Sequence, residues 1–111
     1  MDLTDFLAAR LAEDEAGARE AQSLWDDSLE IIAFQRHYDP ARALREVEAK
    51  RARLALMIEA RGEMDKLLAG DTAGRVDQAM AIGRARGATV AVKHDVAVWS
   101  DHPDYDEAWR P

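Results

Sequence analysis

Two histidines raise the first chemical question. His94 and His102, with Asp95 and Asp101 beside them, offer the imidazole and carboxylate groups that hold a divalent metal. The seven residues between the histidines match no recognised ligand spacing, and no third strong ligand is fixed by the sequence. His102 is therefore expected to be an exposed residue before the Pro103 turn, and a small metal-dependent enzyme stands as an alternative. His37 sits where a helix should end, and there the helix dipole favours a protonated imidazole. Glu13, Asp14 and Glu15 could supply paired carboxylates for acid–base work. Consecutive residues on a helix fan out over roughly 200°, however, so they do not converge on one site. Solvated charge is the expected role, except for Asp14, which projects to the apolar face.

Arg51 lies within a stripe of Leu44, Val47, Leu54 and Ile58. A guanidinium there needs a carboxylate or must reach water along its stem. The expected carboxylate is Asp14 or Glu13, giving a buried ion pair of Arg51 and Asp14. The six Ser and Thr residues lie in no nucleophile-elbow context, and Gly83 and Gly87 form no phosphate-binding loop. Residues 71–87 give no helix-turn-helix. No catalytic residue, metal ligand or cofactor is assigned. Tyr105 and Trp109, spaced i,i+4, are the main surface feature, with Trp99 upstream. They are expected to dock on the chain's own helices and pin its end. The alternative is an exposed anchor for a partner, since Trp and Tyr dominate binding hot spots.

Helices must position these groups. Leu3, Phe6, Leu7, Leu11, Ala18, Ala21, Leu24, Trp25, Leu29, Ile31 and Ile32 keep to one broad face at 100° per residue. Asp2 suits the N-cap, and one long helix, kinked at most near residues 23–28, is expected to run to His37–Tyr38. Gly17 on that face predicts a close helix contact. Asp39-Pro40 is the clearest punctuation, an N-cap followed by a proline at the first helical position. A second helix is predicted from Pro40 to about Arg61, with Gly62 after it and a short piece over 63–69. Leu44, Val47, Leu54 and Ile58 form one stripe; Ala49, Ala52, Leu56 and Ala60 form another. Gly70-Asp71-Thr72 reads as a stop and a new cap. A third helix is predicted over 73–86, with Val76, Ala79, Met80 and Gly83 on one face and Gly87 closing it. In residues 88–99 the valines alternate like a strand, yet Val92, Val96 and Trp99 fit a helix.

The chain has 111 residues, room for one domain. Of its apolar residues 22 are Ala and seven are aromatic, so the core is thin. Absence of Cys excludes disulfide scaffolds and thiol chemistry. No run of 18 apolar residues marks a membrane span, and the acidic start lacks a signal-like segment, so a cytoplasmic protein is expected. Net charge is −7, unevenly spread: residues 1–30 carry −7 and residues 31–61 carry +3. Acidic and basic segments in sequence predict pairing within the chain or across a dimer. Overall acidity disfavours direct nucleic-acid binding.

Three blocks are familiar together: Asp2-Leu-Thr-Asp-Phe-Leu-Ala-Ala-Arg-Leu-Ala-Glu-Asp-Glu15, Asp39-Pro-Ala-Arg-Ala-Leu-Arg-Glu-Val-Glu-Ala-Lys-Arg51 and Asp101-His-Pro-Asp-Tyr-Asp-Glu-Ala-Trp-Arg-Pro111. They resemble an uncharacterised family of small proteins, a domain of unknown function, found in actinobacteria and their phages. This chain departs from the family pattern at Tyr38, which interrupts the usual Arg-His-Asp-Pro, and lacks a longer polar insert near Trp25. The resemblance implies context rather than chemistry, and it implies helix for residues 88–99. The expected fold is all-α, a single domain over 1–111: a long antiparallel helical hairpin cornered at Asp39-Pro40, shorter C-terminal helices, and a docked tail over 100–111. Two-faced helices predict a homodimer. The expected function is a non-catalytic helical interaction protein, a phage or prophage accessory factor that binds a host protein. An acidic regulator of a nucleic-acid-binding protein, acting by charge mimicry, is the other alternative.

Overall fold

The computed structural model describes residues 1–24, 38–70 and 74–111. It is all-α: helix α1 spans Leu3–Leu24, α2 Pro40–Ala69 and α3 Arg75–Val96, followed by 3-10 turns at Ala97–Trp99 and Glu107–Trp109. No strand occurs among the described residues. None of the described helices is long and apolar enough to cross a membrane. The expected run of the first helix past Leu24, with Trp25, Leu29, Ile31, Ile32 and His37, falls outside the described residues, as does the expected Asp71–Thr72 cap.

Two helix starts form as their residue types dictate. Asp2 caps α1, its Oδ1 accepting from the Asp5 N–H at 2.8 Å. Asp39 caps α2 from extended backbone, accepting from the Ala41 N–H at 3.0 Å, and Pro40 takes the first position. α2 then continues past the predicted stop. At about 1.5 Å per residue it is a rod of roughly 45 Å, the backbone of the fold. Gly62 does not end it; the helix closes at Gly70, whose N–H reaches the Lys66 carbonyl at 3.2 Å. Likewise α3 begins at Arg75, passes through Gly83 and Gly87, and takes in most of residues 88–99 as helix. A helical Gly costs about 1 kcal/mol against Ala, and packing of its neighbours outweighs that. Here Ala60, Ala81 and Ala85 bury the flanking turns. Gly17 is a further correction, because no atom of another element lies within 4 Å of where its Cβ would be.

α1 and α3 lie on different parts of α2, and both run antiparallel to it. Gly17 shares a cleft with Ala43 and Val47, whereas Leu3, Phe6, Leu7 and Leu11 join Leu54 and Met57 in the core. On the other flank Arg53 meets Asp95, Arg61 Nε donates to Thr89 Oγ1 at 3.2 Å, and Gln78 Nε2 donates to the Leu67 carbonyl at 3.4 Å. The hairpin at Pro40 is thus extended by a second one between α2 and α3. The large core sits where the three helices overlap, around Phe6, Leu7, Leu11, Met57, Val92 and Val96, all fully buried. Of the predicted α2 stripes, Val47, Leu54 and Ala60 are buried, while Leu56 and Ile58 are exposed. Met57, outside both stripes, takes the central position because α2 is packed from two directions.

Candidate functional site: a fastened tail and an open groove

Phe6 is the hub on which the last residues close. It lies in the first turn of α1, fully buried, with the Trp109 ring 4.9 Å away, His102 at 5.4 Å, Tyr105 at 6.3 Å and Trp99 at 6.5 Å. Three of these contacts are edge-to-face, the arrangement ring quadrupoles favour. Consecutive turns aim the rings inward: His102 N–H bonds the Trp99 carbonyl at 2.9 Å, and Tyr105 N–H bonds that of His102 at 3.0 Å. Asp106 then caps the final turn, accepting from Ala108 N–H at 2.9 Å. Arg10 crosses this knot. Its guanidinium stacks 5.4 Å from the Phe6 centroid, contacts His102 Nε2 and reaches Glu13 at 3.1 Å. The Asp104 N–H points at His102 Nδ1 from 3.0 Å, which ties the ring to the turn that follows it.

This corrects the exposed-anchor alternative. Trp109 is 8% exposed, and Tyr105 and Trp99 are half-buried; all three face Phe6. Tyr105 and Trp109 also do not share a helix, since extended backbone at Asp106 separates them, and they meet edge-on at 5.7 Å. His94 is exposed on α3, Asp95 is held by Arg53, and His102 faces Arg10. Among the described residues no three His, Asp or Glu side chains group to hold a metal ion.

The Arg51 ion pair is real but has a different partner. Arg51 NH1 meets Glu15, not Asp14 or Glu13, and Arg51 is 45% exposed, so the pair is not buried. Residue 51 points to the flank of the stripe, which brings it beside Glu15 on the edge of α1. Glu15 also accepts from Arg19 at 3.3 Å. The Arg51 hydrogen bond, with smaller help from Arg19, lowers the Glu15 carboxyl below the ordinary range. Asp14, exposed, lines a cleft of about 330 Å³ with Glu13, Gly17, Tyr38 and Lys50. Partial loss of water raises its carboxyl despite Lys50.

Sequence reasoning missed the strongest ion pair. Asp95 takes Arg53 with both oxygens, Nε at 2.6 Å and NH2 at 2.9 Å, across α2 and α3. The signal was present: Asp95 stands beside Val92 and Val96 on the inner side of a helix. Also unforeseen is a groove along the α2–α3 pair. One cleft of about 400 Å³ is lined by Leu56, Glu59, Ala60, Glu63, Arg84 and Ala88. A second, of about 230 Å³, continues it past Leu67, Met80 and Ala81, and Glu63 and Arg84 line both.

The first and last blocks of the sequence thus form one structure around Phe6, and a model of a family of unknown function matches residues 1–111. The chain belongs to DUF6221. No curated protein and no solved structure matches it. For this DUF6221 chain the tail knot is the architectural device, and the α2–α3 groove is an open concave surface lined in part by exposed apolar side chains. Leu56 and Met80 on the groove are each 60% exposed.

Proposed function

We propose that this chain is a non-catalytic helical interaction protein, and that the α2–α3 groove is the face that binds another polypeptide. The observation that supports it most is the placement of exposed apolar side chains. Leu56 and Met80 stand on the groove over a floor of Ala60, Ala81 and Ala88, with Val76 one turn before Met80. A concave apolar strip with a few charges matches the way amphipathic helices are received. The polar groups that sequence offered for chemistry face different neighbours: His102 faces Arg10, Asp95 holds Arg53, and Glu15 holds Arg51. The enzyme alternative draws little support from that dispersal. Charge mimicry also draws less, because Glu13 and Glu15 already pair with Arg10, Arg51 and Arg19. A narrower form, a phage or prophage factor that binds a host protein in the host cytoplasm, rests on the resemblance to proteins of actinobacteria and their phages.

A photo-crosslinking residue tests this reading in cells. Placed at Met80 it should give covalent adducts with polypeptide, and placed at Ala12, exposed on α1, it should give few. Equal adducts at both positions, or none at Met80, would overturn it.

A further inference from the structure

We propose that the occupant of the groove is a second copy of this chain, related by a twofold axis that runs along the groove. This rests on the interaction reading above and names the partner at that same face.

The far half of the molecule is an unfinished core. Among the described residues between 61 and 91 the buried side chains are Ala81 and Ala85, joined by Ala60 just before. Two helices alone leave both faces of their seam open, and among the described residues of this stretch no large side chain is fully buried. A second helical pair laid on the groove would cover Leu56, Leu67 and Met80 and produce an antiparallel four-helix arrangement, a common way for such helices to bury a shared core.

Charge selects the second copy and its orientation. Glu63 and Arg84 both line the two clefts, so they flank the groove at its middle. Neither takes part in an ion pair among the described residues. The antiparallel contacts Arg53–Asp95, Arg61–Thr89 and Leu67–Gln78 put Glu63 level with Arg84 on the neighbouring helix. A twofold axis parallel to the helices sets α2 of one copy against α3 of the other at the same level. Glu63 then meets the partner's Arg84, and Arg84 meets the partner's Glu63. By the same operation Met80 meets the partner's Leu67. An axis across the helices through the same point would instead oppose Glu63 to Glu63 and Arg84 to Arg84. The surface is self-complementary in one orientation only.

The test is molar mass in solution against concentration, for the full chain and for Glu63→Arg and Arg84→Glu. The wild type should weigh twice the 12.4 kDa chain. Each single variant opposes like charges at two symmetric places and should weaken self-association by at least about tenfold. An equimolar mixture of the two singles should recover the dimer, because each then supplies the sign the other lacks. Both residues are exposed, and far-UV circular dichroism should show unchanged helix content. A wild type that stays monomeric, single variants that dimerise as well as the wild type, or a mixture that fails to recover would overturn the proposal. A monomer that still crosslinks from Met80 to other polypeptides overturns the second copy but leaves the interaction reading standing. A monomer without such adducts overturns both.

Discussion

Asp95 grips Arg53 with both carboxylate oxygens, at 2.6 and 2.9 Å, and so fixes the register of α3 on α2. The Asp95 side chain is 13% exposed and that of Arg53 41%, so solvent screens one end of the pair. A double-mutant cycle with Asp95→Asn and Arg53→Met should return a coupling of about 0.5–1 kcal/mol in urea denaturation. No coupling would mean that the two side chains do not share one geometry in solution.

Trp109 should be the most costly residue in the tail to truncate. Its ring fills the space beside Phe6, and Trp→Ala changes at such sites cost about 3–5 kcal/mol. We expect Trp109→Ala to lower the denaturation midpoint sharply and to expose residues 97–111 to protease. Trp109→Phe should retain much of the stability, since an aromatic ring still covers Phe6.

The Asp39 cap offers a clean local test. Asp39→Ala should destabilise by about 1 kcal/mol, and Asp39→Asn should restore most of that, because an Asn side chain also accepts from the Ala41 N–H. Gly62→Ala should act in the opposite sense. Gly62 is helical, exposed and clear of neighbours, so the change should stabilise by about 0.5–1 kcal/mol.

These sites show what the sequence made legible. Asp2, Asp39 and Pro40 act through their immediate neighbours, and their roles were readable from residue type. The α1 stripe through Leu3, Phe6, Leu7 and Leu11 was readable because α1 is packed from one side. α2 is packed from two, so no single stripe described it and Met57 was overlooked. Glycine misled the reading at positions 62 and 87, because a small intrinsic penalty loses to packing that periodicity alone does not weigh. The Glu15–Arg51 pair was anticipated in kind but not in partner. One step along α1 turns a side chain by 100°, which decides whether it reaches Arg51 or the cleft.

Adjacent carboxyls on α1 should respond to acid in opposite senses. Glu15 has a lowered folded value, set first by the Arg51 hydrogen bond, so its contribution is present above the ordinary carboxylate range and is lost as pH falls through the lowered value. Asp14 has a raised value, set first by desolvation, so the folded state takes up its proton more readily and its ionised form opposes folding as pH rises. Denaturation across acidic to neutral pH should show Glu15→Gln with a shallower acid loss. Asp14→Asn should gain on the wild type at neutral pH and lose that gain in acid.

Phe6 and Trp109 also set a timetable. The hub is made about 100 residues before its cover, so at about 5–20 residues per second the ring waits roughly 5–20 s on a translating ribosome without its partner. During that interval the Phe6 ring lacks its final cover, and transiently exposed apolar surface of this kind is what chaperones shield. Newborn chains of this protein should therefore gain from chaperone help until Trp109 has emerged from the ribosome.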